Sequence, residues 1–331
     1  MRILVIGTGR MGDIRATNLA ADPRVTEVLV ANRTRQRAVD LAERIGASVV
    51  EWEDVATHRA DGYVMALATE AHGDLLEDVL RSGNPILCEK PIAATIAATE
   101  RICDLAEQTG SPMQIGFQRR FDEGMAEVRR VINRGDIGEL YDLVLTSRDH
   151  TPPSRDFLSG SGGIFRDLHV HDLDMVAWLT GSPIESVHAV ATIRGPGDYA
   201  EFDDADITRI ITVTESGVPA VISGARHDAR GHDVRVEAFG SLDSISAGIN
   251  SRTPLRTLEG AVGLDLDPYT GFIDRFREAF RAETTAFVDL MCGAENPCPP
   301  RAALDALRAA VACETSARTG TTVYVAGVTD G

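Results

Sequence analysis

Apolar and polar positions change rhythm partway along the chain. Up to about residue 117, short and nearly continuous apolar runs alternate with segments of helical period. The runs are Ile3–Ile6, Val28–Ala31, Val64–Leu67, Ile86–Cys88 and Met113–Phe117. Strands that are apolar throughout belong in a parallel sheet covered by helices on both faces. Thr34–Ile45 and Thr95–Thr109 read as two of those helices. Gly46 and Gly110 stop them, and Thr95 supplies the N-cap of the second. The pattern predicts a doubly wound α/β domain over residues 1–117.

From residue 118 the texture is different. A helix over Glu123–Asn133 leads into segments at Glu139–Arg148, Ser186–Arg194, Asp206–Thr214, Pro219–Ala225 and Val234–Phe239. These alternate apolar with polar and are separated by turn residues, which predicts one large, open, mostly antiparallel sheet. Helical stretches follow at Phe272–Leu290 and Ala302–Ala317. Thr151–Gly162 reads as an ordered turn feeding a mobile hinge, and Asn250–Thr270 as a second loop. Residues 118–331 are thus expected to form a second, α/β domain.

Composition narrows the function more than the fold. The 331 residues carry 33 Lys and Arg against 50 Asp and Glu, a formal charge of −17. An acid excess of this size argues against binding to nucleic acid or to an anionic membrane, both of which need a positive footprint. No apolar run approaches a membrane span, and the few apolar residues after Arg2 are too short for an export signal. The five cysteines are scattered and odd in number, as expected of free thiols in a cytoplasmic protein.

Gly7-Thr8-Gly9-Arg10-Met11-Gly12 follows the first strand directly and opens a helix, with a second strand about 20 residues on. A lone G-x-G-x-x-G is weak, but in this setting it predicts dinucleotide binding. The glycines admit a pyrophosphate to the helix N-terminus, where unpaired N–H groups point. The second strand ends in Asn32, Arg33, Thr34 and Arg35, with Arg37 beyond, where an NAD site usually has Asp or Glu. Cations in the first turn of a helix oppose its dipole. A 2′-phosphate would offset that cost and accept a forked guanidinium, so NADP is expected over NAD, or dual use.

Cys88-Glu89-Lys90-Pro91 lies at the C-terminal end of a strand, where open α/β sheets bind ligands, and the proline makes a cis bond possible. Taken alone, Lys90 reads as a surface lysine; beside a nicotinamide pocket it reads as catalytic. In Gly163–Leu179, read as one helix at about 100° per residue, Ile164, Leu168, Met175, Trp178 and Leu179 form a stripe. His171 falls inside it, Asp167 at its edge, and His169 on the opposite side. Asp167 and His171 therefore form an inward i, i+4 pair. The two histidines point apart, which disfavours a metal. His171 can take the proton of an alcohol, Lys90 can stabilise the developing alkoxide, and Asp167 can orient the imidazole or pair with the lysine while a nicotinamide takes the hydride.

These features together resemble the glucose–fructose oxidoreductase / inositol 2-dehydrogenase / MocA family over nearly the whole chain. The markers are the Gly7–Gly12 loop, Ala68-Thr69-Glu70-Ala71-His72, Glu89-Lys90-Pro91, and Gly116-Phe117-Gln118-Arg119-Arg120-Phe121-Asp122. Ser147-Arg148-Asp149 and Gly162–Asp167 leading to His171-Asp172-Leu173-Asp174 complete the set, and the last three are most similar to the inositol 2-dehydrogenase branch. The resemblance implies a Rossmann domain and a substrate-binding domain whose open sheet makes a homo-oligomer, a dimer or tetramer. It implies Lys90, Asp167 and His171 as the catalytic trio. Ala68, Thr69, His72 and Glu89 would join the cofactor contacts, Arg120, Asp149 and His232 would border the substrate, and Asp172 would support them. Met125, His232, Phe276 and Phe280 stand where tyrosine is common in that branch. Fewer hydroxyls mean fewer polyol contacts, so a less hydroxylated or modified cyclitol or sugar fits as well as myo-inositol. Dihydrodiol oxidation, keto-sugar reduction, or dinucleotide sensing without turnover are the other activities this fold could carry.

Overall fold

The computed structural model describes residues 1–67, 73–255 and 267–330. The first unit begins as its apolar runs predict. β1 (Arg2–Ile6), β2 (Glu27–Ala31), β4 (Gly62–Met65), β5 (Ile86–Cys88) and β6 (Met113–Ile115) are parallel, and a two-residue β3 (Ser48–Val49) adds an edge. The sheet order is β3-β2-β1-β4-β5-β6, the doubly wound arrangement that leaves a ligand crevice outside the strand C-termini. Helices α1 (Arg10–Ala20), α2 (Arg35–Ile45), α3 (Gly73–Arg81) and α4 (Ile96–Thr109) connect the strands. Gly46 and Gly110 end α2 and α4 in the left-handed region, and the Thr95 side chain accepts the Ala98 N–H.

The second unit opens with α5 (Glu123–Arg134) and β7 (Leu140–Arg148), followed by α6 (Arg155–Gly160), α7 (Val170–Thr180) and β8 (Ile184–Thr192). The sheet continues with β9 (Ile207–Thr214), β10 (Pro219–Ala225), β11 (Asp233–Gly240) and β12 (Ser244–Ala247). Along the chain, a four-residue α8 (Phe272–Arg275) and a 15-residue α9 (Arg277–Met291) precede α10 (Pro300–Thr319) and β13 (Val323–Tyr324). The order is β12-β11-β7-β10-β9-β8-β13, antiparallel except at the β7–β10 pair. Leu143, Leu145, Ile210, Ile222 and Val236 are buried on one face, while Ile211, Val221, Val190 and Phe239 are exposed. The period-2 alternation is therefore apolar on both sides over much of its length.

Three expectations need correction. Thr151–Gly162 contains a helix, α6, because the Ser154 side chain accepts the Phe157 N–H and caps it. Phe272–Leu290 is two helices, broken where buried Phe276 leaves helical geometry and meets the His232 ring edge-on at 6.4 Å. The second unit is also not the continuous stretch 118–331. The chain divides into Met1–Gln118 with Glu278–Leu304, and Arg119–Arg277 with Asp305–Gly331. The returning segment is held by apolar burial: Phe287, Val288 and Leu290 join the core of β1, β2, α1 and α2. Backbone and side-chain bonds add to it, from Ile115 N–H to Cys298 O and from Gln114 Nε2 to Glu283 O.

Candidate active site

In the first unit the glycine loop divides its work by position. Gly7 has a φ of +98°, and a Cβ there would meet Ala66 O at 2.5 Å. A Cβ on Gly12 would sit 1.8 Å from Gly7 O, so only glycine lets α1 close on the turn. At Gly9 a Cβ meets no atom of the described residues within 4 Å. The chain thus needs Gly7 and Gly12 for itself, and Gly9 leaves the helix end open to a close-lying phosphate, the division expected for a pyrophosphate loop. Gly9 caps α1 without a side-chain bond, and buried Thr8 Oγ1 has no hydrogen-bond partner among the described residues. Arg10 and Met11 form the first helical turn. A dinucleotide phosphate fits this donor set.

At the end of β2, the Asn32 carbonyl accepts the Thr8 N–H at 3.2 Å and its amide donates to Thr34 O. Asn32 thus ties the glycine loop to the start of α2. A cavity of about 150 Å³ lies beside it, lined among others by Arg33, Arg35, Glu51, Trp52 and Glu53. The Arg33 guanidinium lies over the Trp52 ring at 5.3 Å, whereas Arg35 is already paired with Glu51 at 2.9 Å.

Glu89 and Lys90 follow β5, and the Lys90–Pro91 bond is cis. Lys90 is half-buried. Glu89 is buried and accepts from Arg15 Nε at 2.7 Å, while Arg15 NH2 lies 2.5 Å from Glu283. Burial works against the Arg15 charge, but Glu283 and Glu89 more than offset it and the guanidinium holds its proton more tightly than usual. Burial outweighs Arg15 at Glu283, whose carboxyl is pushed up to about 8. Glu89, expected at the cofactor, is engaged by an ion pair to α1. Arg15 carried a sequence signal: it lies among Gly12, Ala16 and Leu19 on the buried stripe of α1. Ala68, Thr69 and His72 lie outside the described residues.

In the second unit, residues Phe165–His169 form a π turn and α7 begins only at Val170. The wider turn shifts the helical phase, and α7 is buried on nearly all sides. Both effects overturn the expectation that His169 faces away from the core. His169 is fully buried, with Nδ1 2.8 Å from Asp172 and Nε2 2.5 Å from Thr208 Oγ1. His171 is also buried, at 8% exposure. Asp167 accepts from Arg226 NH1 at 2.8 Å, and Arg226 NH2 reaches Asp204 at 3.1 Å. Asp204 in turn accepts the Ile164 N–H at the start of the π turn. Arg226 escaped sequence reasoning; its one signal is a charge directly after the apolar run of β10. Tyr199 escaped it as well. It is fully buried, with its phenol pushed up to about 12 by burial and by Asp206.

Asp172 is the hub beneath these groups. It accepts from Arg119 NH1 at 2.5 Å and from Ser147 Oγ at 2.6 Å. Burial would raise its carboxyl, yet Arg119 and the His169 bond hold it below the ordinary range. Arg120 grips Asp174 with two nitrogens, at 2.9 and 2.5 Å; burial outweighs that cation and raises the Asp174 carboxyl. Asp149 lies 3.4 Å from His232 Nδ1, and the buried His232 Nε2 has no hydrogen-bond partner among the described residues.

Comparison with known proteins agrees with both halves of this arrangement. Residues 1–117 match the family model of the oxidoreductase family with an NAD-binding Rossmann fold, and residues 125–246 match that of the GFO/IDH/MocA C-terminal domain. The chain belongs to the Gfo/Idh/MocA oxidoreductase family. It is 34% identical to the myo-inositol dehydrogenase Hyg17 of Streptomyces leeuwenhoekii, over 97% of this chain and 98% of that one. It is 30% identical to the scyllo-inositol 2-dehydrogenase (NAD(+)) of Bacillus subtilis, over 90% and 88%. The crystal structure of a myo-inositol dehydrogenase from Corynebacterium glutamicum superposes with a TM-score of 0.90 at 34% identity, covering 99% of each chain. As a member of this family, the chain is an NAD(P)-dependent dehydrogenase acting on CH–OH groups. No helix among the described residues is long and apolar enough to cross a membrane.

Proposed function

We propose that this enzyme oxidises one ring hydroxyl of a cyclitol to the ketone, with Lys90, Asp167 and His171 as its catalytic residues. The observation that carries the reading is that all three residue types stand in the family's motifs. When bound, the nicotinamide accepts the hydride. His171 takes the hydroxyl proton, because a neutral imidazole is the base suited to neutral pH. Lys90 donates a hydrogen bond to the same oxygen and stabilises its growing negative charge. Asp167, held by Arg226, orients the imidazole. Asp149, His232 and Arg120 border the substrate, and the buried Nε2 of His232 offers a ready contact for a ring hydroxyl.

The cofactor reading extends to NADP. Asn32 places no carboxylate against a 2′-phosphate, and Arg33, over Trp52 at the cavity, is a cation placed to meet it, whereas Arg35 is engaged by Glu51. Val190, Ile211, Val221 and Phe239 are exposed on one face of the sheet, which supports a homo-oligomer built on it. A cytoplasmic setting accords with the free thiols.

The test follows reduced-nicotinamide absorbance over a panel of myo-inositol, scyllo-inositol, their methylated or amino derivatives, and simple sugars, with NAD and NADP in parallel. Turnover of at least one cyclitol is expected. Cofactor binding without turnover of any panel member would replace the reading with a dinucleotide sensor. NADP binding tenfold or more weaker than NAD, an order-of-magnitude criterion, would remove the phosphate role of Arg33.

A further inference from the structure

Three fully or largely buried ionisable side chains meet in the first unit: Arg15 on α1, Glu89 after β5, and Glu283 on α9. Arg15 NH1 also lies 3.4 Å from both Phe280 O and Thr284 Oγ1, and the guanidinium lies over the Phe280 ring at 5.3 Å. A buried ion cluster is weak evidence for stability, because apolar replacements serve as well or better. What such a cluster does supply is fixed geometry. Here the fixed point is the residue directly before Lys90, and the residue that fixes it sits on the helix whose first turn carries the glycine loop. Gly116 belongs to the same device. Its N–H bonds Cys88 O at 2.8 Å, and a Cβ on it would sit 2.7 Å from Glu89 Oε2. The chain leaves a gap at the end of β6 in the shape of the Glu89 carboxylate.

We propose that Arg15 is a positioning residue for Lys90: through Glu89 it locks the Glu89–Lys90–Pro91 turn to the cofactor helix, and Glu283 holds Arg15 in place from the far side. This rests on the catalytic reading of Lys90. Tight placement matters because a misplacement of about 1 Å can cost about 10²-fold in rate. Lysine at position 15 would keep the charge but lose the fork that engages two carboxylates.

The experiment compares Arg15→Met, Arg15→Lys and Lys90→Ala in the full-length enzyme, with NAD and myo-inositol as the probe pair. It also follows backbone hydrogen exchange of residues 86–92 in the protein without cofactor. For Arg15→Met the expected result is a kcat lower by about 10²-fold with the KM for NAD changed less than about threefold. Exchange at 86–92 should quicken while α2 stays protected, and Arg15→Lys should recover part of both losses. A folded Arg15→Met enzyme with kcat and exchange both near normal, beside an inactive Lys90→Ala, would overturn the proposal. An active Lys90→Ala would remove the catalytic reading of Lys90 and leave the locking of the turn to be judged by exchange alone. Should Arg15→Met fail to fold, Gly116→Ala keeps all three side chains and crowds Glu89. It should lower kcat and quicken exchange at 86–92, and normal values of both would refute the proposal.

Discussion

The glycine loop and the π turn both carry groups of proposed function, but they are built in opposite ways. Between Gly7 and Gly12 the demands fall on the backbone: one positive φ, one close approach of helix to turn, and one exposed helix end. Each is met within six residues. Around Asp167 and His171 the demands fall on charge. Asp167 is held by Arg226, 59 positions away, and Asp172 by Arg119, 53 positions away. Local geometry makes the first region tolerant of distant change and intolerant of a single methyl group. Long-range pairing makes the second region depend on partners that no local pattern reveals.

The largest effect should come from breaking that pairing. Asp172→Ala leaves Arg119 buried beside an uncharged neighbour and takes a bond from His169. Loss of one partner of a buried pair costs about 3–5 kcal/mol, measurable as the shift of a denaturant midpoint. A loss below about 1 kcal/mol would mean that this network is no more than an exposed-type ion pair. The glycine loop is next. Gly12→Ala should cost about 1–3 kcal/mol, the range for forcing an atom into packed space, and should abolish cofactor binding. Gly9→Ala should leave the unfolding transition in place and weaken only the cofactor. If the two substitutions behaved alike, the assignment of Gly9 to the ligand and Gly12 to the fold would fail.

A further contrast is the pH dependence of the Arg15 cluster. Glu283 titrates near 4.5 when unfolded and at about 8 when folded, so the folded state binds the extra proton between those values. Its contribution to stability is complete below pH 4.5 and declines as pH rises through 8. Thermal unfolding midpoints should therefore fall more steeply over that window in the wild type than in Glu283→Gln. Parallel curves would show that Glu283 is ionised in the fold.

How much of this the sequence displays follows from the same contrast. The parallel sheet, the cofactor loop and the helix ends at Gly46 and Gly110 depend on neighbours in sequence, and all were readable. The antiparallel sheet was readable as well, because alternation survives even where both faces are apolar. The phase of Phe165–His169 was not, since one π turn shifts every later side chain and nothing in the residue types marks it. The return of Glu278–Leu304 to the first unit was hidden too: Phe287, Val288 and Leu290 announce a buried face but not its partner. Among the expected site residues, Asn32 and Glu89 proved to be tied to their own chain, to Thr8 and Arg15. Arg226 and Tyr199 emerged only with the fold.

In the proposed function, Lys90 and His171 perform chemistry on an alcohol rather than merely line a dinucleotide site. The direct measurement is a single turnover of enzyme-bound NAD with the best cyclitol of the panel, in the wild type and in Lys90→Ala and His171→Ala. Reduced nicotinamide should form in the wild type and at least about 10²-fold more slowly in each variant, the lower range for acid–base catalysis, with unchanged affinity for NAD. Equal rates in all three proteins would contradict the account.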